Sequence, residues 1–499
     1  MALESFSGRD RLKEYLQSQK GRCSPMQSGE INLPVGSASK SSGLNWSRFY
    51  MILIFVIFLG TAFDNMDQAT CSFILPMMRA DWGLTYVQGS YMPAVALFGT
   101  CVGAIFWGTV ADRVGRRNAL IYTVLLFSIT SLIQTHSWNF VQFVITCFFM
   151  GFGVGGEIPL AFTFLSEYLP ARVRTRAALV IGILAIVIGY AFAATSAHFL
   201  LPTVGWRALF YIQAIPALLV VIIRFKLPES ARYLRSVGRE EEAQQIAADV
   251  LRQTGDYNPL AESAPGLIAE RPYVPLFEGL REIWKNIYVR RTISNWIFGF
   301  CIGFFEFGFI IWLPTTLRNQ GYSDAQSVNY PLFINFFAIP SALAVLYLLR
   351  KGGSKLILTL YPLVAGVATI ILGMFLTHIA AQPILLILVG GVIFFFGTTL
   401  LGIFPPYSAE VYPTEVRGTG AGWSAGFTRI GSFLGPLVGG ALLSLAVPAQ
   451  AQLILFGTLL LIGALVMGFF GVQTYNQTLE QISPSLAPQL RPEAAAGAD

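Results

Sequence analysis

Charged residues are scarce in this sequence: aspartate, glutamate, lysine and arginine together make up 12% of its 499 residues, whereas hydrophobic residues make up 54%. Soluble globular proteins carry about twice that share of charge. A soluble core cannot bury so much apolar surface, but a bilayer can. Together with a mean hydropathy of +0.61, this composition excludes an ordinary soluble domain and predicts a membrane protein.

Cysteine is sparse too, and its distribution excludes further classes of protein. The five cysteines show no metal-ligand spacing, and four of them lie within apolar runs, which argues against both disulfides and a zinc site. The sequence also contains no phosphate-binding glycine loop and no nucleotide-binding domain. We therefore expect no cofactor, no metal and no enzymatic activity.

The two ends of the sequence lack targeting features. The first 46 residues contain no short apolar core before a cleavage site, which excludes a secretory signal. We predict polar cytoplasmic tails at 1–47 and 475–499. The formal net charge of +6 is concentrated in short loops between apolar runs, so we expect it to set membrane topology and not to bind nucleic acid.

Apolar runs long enough to cross about 30 Å of hydrocarbon recur along the whole chain. The first six cover 49–78, 86–111, 118–136, 139–168, 176–201 and 206–226. The second six cover 291–317, 327–349, 355–379, 383–408, 418–446 and 451–474. This pattern predicts an all-α membrane protein with twelve transmembrane helices. They form an N-terminal six-helix bundle at 48–226 and a C-terminal one at 291–474, joined by a cytoplasmic central loop at 227–290.

Basic residues in the short loops predict the orientation. One side carries Arg113, Arg116, Arg117, Arg172, Arg174, Arg176, Arg350, Lys351, Lys355 and Arg417. The other side carries Arg79, Arg207 and Arg318. Because cytoplasmic loops are enriched in arginine and lysine, we expect both termini and the central loop in the cytoplasm, and the protein in the cytoplasmic membrane.

The two halves also resemble each other in sequence. The fourth span ends in EYLPARVR, from Glu167 to Arg174, and the tenth in EVYPTEVR, from Glu410 to Arg417. Glutamate, proline, valine and arginine coincide without a gap. A match at the same ordinal position favours a duplicated, pseudo-symmetric bundle with a binding site between its halves, as in many secondary carriers.

Four motifs identify a family. The loop after the second span reads GTVADRVGRR, from Gly108 to Arg117, and resembles the G-x-x-x-D-R-x-G-R-R loop of the major facilitator superfamily. The other three are GFGVGGEIP from Gly151, PESARYL from Pro228, and YSAEVYPTEVRGTGAGWSAGFTRIGSFLGP from Tyr407. Within that superfamily, DNMD at 64–67 resembles the D-x-x-D of aromatic acid:proton symporters. The tenth and eleventh spans are similar to the branch of niacin transporters, synaptic-vesicle proteins and organic-anion transporters.

The loop from Gly108 to Arg117 suggests a gate. Gly108 allows close approach of a neighbouring helix, and Asp112 can face the positive N-terminus of another helix, which we expect to be the eleventh span near Gly418. The resemblance implies a latch that closes the cytoplasmic side. The loop LLRKGGSK of the second half lacks the aspartate, so we expect a latch on one side only. The alternative is topological anchoring alone. The predicted gating residues are Gly108, Asp112, Arg113, Gly115, Arg116, Arg117, Glu167, Arg174, Glu410 and Arg417.

Two aspartates lie one turn apart within the first span. Charged residues inside membrane spans are costly and usually mark pathways. Asp64 and Asp67 share a helix face, and two close carboxylates in a low dielectric cannot both ionise cheaply, so one can take up and release a proton. We predict that they couple transport to protons and contact substrate. The alternative is a permanent hydrogen bond from one aspartate to a neighbouring helix.

Three further charges lie within the spans. Arg429 lies near mid-depth of the eleventh span and matches a carboxylate bidentately. It could clamp an anionic substrate or form a fixed salt bridge to Asp64, Asp67 or Glu157. We expect Glu306 to line the cavity and take part in proton coupling, and Glu157 to have a structural role. The family usually carries an arginine in the fourth span where this sequence has Cys147, which leaves two alternatives: coupling rests on the aspartates alone, or it is absent.

Uncharged side chains complete the predicted substrate site. Tyr91, Trp312, Asn335 and Tyr361 can supply hydrogen bonds and stacking faces, although each one taken singly more often packs against other helices.

The sequence as a whole predicts a secondary active transporter. We expect a small organic acid, aromatic or nicotinate-like, to move by alternating access in symport with protons, through a monomer in the lipid bilayer. The alternative cargo is a sugar, a neutral metabolite or an organic cation. A receptor that does not transport is a further alternative, although the tails and loop show no signalling domain.

Overall fold

The computed structural model describes residues 47–255, 260, 276–413, 416–475 and 482. Within these residues the fold consists of eighteen α-helices and no strand. The predicted tails lie almost wholly outside the described residues, as does part of the central loop. The helices are α1 Arg48–Trp82, α2 Tyr86–Val114, α3 Arg116–Thr135, α4 Phe140–Tyr168, α5 Ala171–Leu200, α6 Arg207–Gln213, α7 Ala217–Lys226, α8 Ala231–Ser236, α9 Glu240–Thr254, α10 Leu276–Ile283, α11 Asn286–Asn319, α12 Asp324–Asn335, α13 Ala338–Met374, α14 Leu376–Ala380, α15 Pro383–Gly397, α16 Leu400–Glu410, α17 Arg417–Ser444 and α18 Ala449–Phe470.

The helices provide twelve membrane crossings. Among the described residues, eleven helical segments are long and apolar enough to span a bilayer. The longest, Asp324–Met374, has 51 residues and would measure roughly 77 Å, more than twice the hydrocarbon thickness. Gly353 interrupts it with a φ of 72°, so this segment contains the eighth and ninth crossings. The prediction of an all-α protein with twelve transmembrane helices is confirmed.

The same helix pairs pack together in both halves. In the first half α1 packs along α5 and α2 along α4, and the equivalent pairs in the second half are α11 with α17 and α13 with α15. The halves meet where α2 contacts α17 and α5 contacts α12. We call the helix ends next to Arg113, Arg116, Arg117, Arg350 and Lys351 the basic end, and the opposite ends the far end.

Turn residues and helix-capping residues of the first half recur in the second half at a constant separation in sequence. The equivalent residues are Gly83 and Gly321, Thr85 and Ser323, and Gly115 and Gly353. All four glycines have positive φ values, which a residue with a Cβ rarely adopts. Thr85 and Ser323 each begin a helix with a reciprocal capping box. The sequence analysis missed this repeat, although GLTYVQG from Gly83 and GYSDAQS from Gly321 contain it.

Large apolar side chains cover the outside of the bundle. Ile105, Phe199 and Phe225 are 73%, 65% and 78% exposed, respectively. Such extensive exposed apolar surface is unfavourable in water but suits contact with lipid.

Candidate functional site

A cavity of about 800 Å³ lies between the two halves. Helices α1, α4 and α5 line it from the first half, and α11, α13, α16 and α17 from the second, with the break between α15 and α16 also exposed to it. Its apolar wall includes Phe162, Phe307 and Phe404, and it reaches Arg174 and Ser408 near the basic end. Its volume is within the range of small-molecule sites.

Arg429 contributes a cationic side chain to this cavity. It lies about twelve residues, or roughly 18 Å, from the start of α17. Gly431 and Gly435 place α17 directly against the α11 backbone, with a Cβ on Gly435 lying 2.5 Å from the Phe304 carbonyl oxygen. Since successive residues turn by about 100° around a helix, Arg429 lies on the side of α17 opposite Gly431, facing the cavity.

Arg429 forms no salt bridge with any carboxylate among the described residues. The alternative of a fixed salt bridge to Asp64, Asp67 or Glu157 is therefore not realised in this structure. A guanidinium inside an apolar bundle is stabilised by an anion. The geometry leaves this guanidinium accessible to an anion that enters the cavity.

The wall that α1 presents to the cavity is neutral and polar. Thr61, Asn65 and Gln68 line it, at the spacing of one face of a helix. The Asn65 amide nitrogen donates to the Thr61 carbonyl oxygen at 2.7 Å, which leaves its own side-chain oxygen available. The sequence analysis missed these residues and concentrated on the aspartates beside them. The signal was the polar stripe at Thr61, Asn65 and Gln68 in an apolar helix.

The predicted acidic residues lie outside the cavity lining. Asp64 and Asp67 on α1 are 0% and 7% exposed, and Glu157 on α4 and Glu306 on α11 are 3% and 9% exposed. Neither carboxylate oxygen of Asp64 has a hydrogen-bond partner among the described residues. These carboxylates lie between packed helices, so in this conformation they do not contact a molecule in the cavity. Their predicted roles in coupling and substrate binding stay predictions.

The four uncharged candidates also lie outside the cavity lining. Tyr91 is 42% exposed on α2, and Tyr361 is 1% exposed within α13 beside Phe396. Trp312 is buried and donates its indole N–H to the Pro436 carbonyl at 3.0 Å. Asn335 donates across the halves to the carbonyl of Val187 on α5 at 3.0 Å.

The two halves are in contact at the far end. Tyr86 of α2 and Asn319 of α11 hydrogen bond at 3.3 Å, and the Val87 backbone N–H donates to the Ser444 hydroxyl at 3.2 Å. The Tyr86 ring also lies against Trp312, with centroids 6.1 Å apart. These contacts close the cavity on the far side.

Helices α2 and α17 diverge from the far end towards the basic end. They are in contact at Ser90, where a Cβ on Gly440 would lie 2.7 Å from the serine Cβ, and again where the Phe98 and Phe433 rings meet. Closer to the basic end, three glycines face open space: Gly108, Gly418 and Gly422. A Cβ added at any of them would have no atom of the described residues within 4 Å. The close helix contact predicted at Gly108 is therefore absent in this state. The cavity is open towards the basic end.

Three of the predicted gating residues, Asp112, Arg116 and Glu167, form a network within the first half. Arg116 binds Asp112 at 2.6 Å and lies 3.8 Å from Glu167. Asp112 is 67% exposed at its side chain, and the expected approach to α17 at Gly418 is not formed.

The central loop docks onto this network. The Arg117 backbone N–H donates to Glu229 at 2.9 Å, and the Tyr233 hydroxyl donates to the Arg113 carbonyl at 2.7 Å. Gly115 has a φ of 97°, and a Cβ there would collide with Glu229. Three other predicted gating residues lie at helix ends. Arg174 is in the first turn of α5, Glu410 is the last residue of α16, and Arg417 is the first residue of α17. Whether this network gates transport stays a prediction.

Comparison with known proteins gives consistent matches over nearly the whole chain. The sequence profile described as sugar (and other) transporter matches residues 46–486. The niacin transporter NiaP of Acinetobacter baylyi is 30% identical over 457 residues, which cover 90% of this chain and 98% of that protein. The 4-hydroxybenzoate transporter PcaK of Pseudomonas aeruginosa is 31% identical over 416 residues, covering 82% and 88%.

A more distant relative and a solved structure also match most of the chain. Synaptic vesicle 2-related protein of Xenopus laevis is 23% identical and covers 88% of this chain and 81% of that protein. The inward open conformation of the xylose transporter XylE from E. coli superposes with a TM-score of 0.70 at 20% identity, over 87% of this chain and 99% of that one.

Proposed function

Because this chain belongs to the sugar (and other) transporter family, whose members are transporters and not enzymes, we propose that it carries a small aromatic monocarboxylate together with protons. The observation that carries this proposal is Arg429, a cation without a salt bridge among the described residues, in a cavity of about 800 Å³. The printed names of similar proteins support the substrate class, since they include niacin, 4-hydroxybenzoate, gallate and benzoate transporters.

The cavity offers complementary groups for each part of such a substrate. The substrate carboxylate binds the Arg429 guanidinium, which can donate two parallel hydrogen bonds. The ring lies among Phe162, Phe307 and Phe404, where aromatic contacts stabilise it. The amides of Asn65 and Gln68 on the opposite wall hydrogen bond to a ring nitrogen or a hydroxyl.

Transport then proceeds by alternating access between the halves 48–226 and 291–474. The basic end faces the cytoplasm, with both termini there, because it carries most of the loop arginines and lysines. Opening the far end requires breakage of the Tyr86–Asn319 and Asn335–Val187 contacts. Closing the basic end brings α2 and α17 together near Asp112. Protons bind to the buried carboxylates, and a single chain provides the whole pathway.

Uptake of labelled nicotinate and 4-hydroxybenzoate into proteoliposomes, with and without an inward proton gradient, tests this function. We expect accumulation that requires the gradient and is lost in Asp67→Asn. The matched control is Asp324→Asn, which removes a carboxylate at the far end, where Asp324 pairs with Arg318 at 3.1 Å.

Three outcomes would contradict parts of the proposal. Accumulation that is equal without a gradient would contradict proton coupling but not acid transport. Full activity of Asp67→Asn would remove Asp67 from the coupling site. Failure to take up either acid, together with uptake of a sugar, a neutral metabolite or a cation, would contradict the substrate class.

A further inference from the structure

Glu157 of α4 rests on the backbone of α1 at Gly60. A Cβ on Gly60 would lie 2.6 Å from Oε1 of Glu157, so the missing side chain makes room for this carboxylate. Asp64 follows Gly60 by one helical turn, a distance of about 6 Å along the axis. The two carboxylates therefore lie about one helical turn apart on the α1–α4 contact, although the sequence analysis gave Glu157 only a structural role.

This place offers the two carboxylates no cation. Asp64 is completely buried, and both of its oxygens lack a hydrogen-bond partner among the described residues. Neither Asp64 nor Glu157 forms a salt bridge in the described part of the chain. Glu157 and Asp67 are the charged neighbours that interact electrostatically with Asp64. Two ionised carboxylates this deep in an apolar interior are mutually destabilising, and one proton held between them relieves both burial and repulsion.

Among the described residues, the surrounding helices supply no positive charge at this depth. In the interior of the spans packed against α1, the titratable side chains are Tyr91 and Cys101 of α2, Cys147 and Glu157 of α4, Tyr190 of α5, Tyr211 of α6, and Cys301 and Glu306 of α11, together with Asp67 and Cys71 of α1 itself. Arg224 and Lys226 of α7 lie exposed in its last turn, and the charges of α9 are all exposed. The charged groups that interact with Asp64 are therefore other carboxylates, those of Glu157 and Asp67.

We propose that Asp64 and Glu157 bind one proton between them and form a site at which this transporter loads a coupled proton. In the loaded state one carboxyl donates its O–H to the other carboxylate. In the unloaded state that proton has passed to water. The site lies towards α4, next to the stripe of Thr61, Asn65 and Gln68 that faces the cavity, so proton and substrate occupy neighbouring places on one helix. This inference rests on the proposed function, in which an organic acid moves with protons.

Two transport assays in the same proteoliposomes separate this role from folding and from substrate binding. The first is accumulation of labelled nicotinate driven by a proton gradient. The second is exchange of labelled for unlabelled nicotinate at equal pH, which needs no net release of protons. For Glu157→Gln and Asp64→Asn we expect accumulation to fall to the level reached without a gradient, with exchange within about twofold of wild type.

Two further variants test the geometry. Gly60→Ala places a methyl group where Oε1 of Glu157 lies, and the flexible glutamate must move away, so we expect it to reproduce the loss of accumulation. Its control is Gly397→Ala, where a Cβ would lie 3.4 Å from Phe305, an ordinary contact distance. The exchanged pair Asp64→Glu with Glu157→Asp keeps two carboxyls at this place and should restore accumulation.

The outcomes distinguish this inference from the proposed function. Absence of gradient-driven accumulation in the wild type would contradict the proposed function itself. Wild-type accumulation that persists in Glu157→Gln would overturn the shared-proton site while acid transport stands. If the single variants lose exchange as well, the exchanged pair decides: failure to restore accumulation would overturn the inference.

Discussion

Helices α2 and α4 touch backbone to backbone, which makes Gly155→Ala a sharp test of the packing. Cβ atoms built on Gly151 and Gly155 of α4 would collide with the carbonyl groups of Ala96 and Thr100 on α2. Cβ atoms on Gly99 and Gly103 of α2 would collide in return with Phe148 and Phe152 of α4. The neighbours are backbone atoms, so no rotation of a side chain can relieve the collision.

The cost follows from the distances. A Cβ on Gly155 would lie 2.7 Å from both Cα and the carbonyl carbon of Thr100, whereas carbon atoms pack at about 3.5–4.0 Å. The helices must therefore separate by about 1 Å along this contact. Overpacking of this kind costs about 1–3 kcal/mol. Alanine recovers about 0.5–1 kcal/mol of that through its better helix propensity, so a net destabilisation remains.

The assay is unfolding of the purified protein in a denaturing-detergent titration. We expect Gly155→Ala to unfold at a lower detergent fraction than wild type. Gly397→Ala makes the same chemical change where a Cβ would lie 3.4 Å from Phe305, so it should unfold at the wild-type detergent fraction or be stabilised by up to about 1 kcal/mol. Equal midpoints for the two variants would refute the reasoning that α2 and α4 are in backbone contact.

Three further predictions follow from individual contacts. Tyr86→Phe removes the hydroxyl that hydrogen bonds Asn319 across the halves, a loss of about 0.5–1.5 kcal/mol. Spin labels at Thr203 and Gln382 report the distance between the halves, and longer distances should become more populated in Tyr86→Phe. Tyr322→Phe loses a hydrogen bond within the second half and should leave these distances unchanged. Gln68→Leu removes an amide from the cavity wall and should weaken transport of nicotinate and 4-hydroxybenzoate roughly 2- to 12-fold in KM, with benzoate unaffected; equal effects on all three acids would contradict that contact. Gly353→Ala forces a side chain into a φ of 72° and a ψ of −176°, a region essentially restricted to glycine, and should cost about 1–3 kcal/mol in the same unfolding titration; no change would contradict the kink.

The fold could be predicted from the sequence because it depends on properties that are local. A bilayer-spanning helix requires a long apolar run, and the basic residues between runs order the loops. The break within the tenth span at Thr398 and Thr399 was not predicted, because no charged residue or proline lies at that point of the apolar run. The sequence analysis identified the junction at Gly353 only as a loop. Its positive φ is a property of the backbone conformation and could not be read from the residue types.

The site could be predicted only in part because it depends on how helices rotate about their axes. Asn65 and Gln68 face the cavity while Asp64 and Asp67 beside them do not, although adjacent residues differ by only about 100° around the helix. That rotation is set by contacts far apart in sequence, such as Gly189 of α5 against the Ala62 carbonyl. Arg429 was found because an arginine at mid-depth must face the interior. Glu157 appeared structural because Gly60, its neighbour in space, lies on another helix.

The central claim is that Arg429 binds the carboxylate of the substrate, and equilibrium binding to the purified protein tests it most directly. Labelled nicotinate and its neutral analogue nicotinamide are titrated onto the wild type, Arg429→Gln and Arg318→Gln, the last of which removes an arginine at the far end. Loss of a hydrogen bond to a charged group costs about 1.5–3 kcal/mol, so nicotinate affinity should fall by roughly 10- to 150-fold in Arg429→Gln. Arg318→Gln should bind nicotinate with wild-type affinity. Nicotinamide should bind with the same affinity to all three forms of the protein. Equal nicotinate affinity for the wild type and Arg429→Gln would contradict the account.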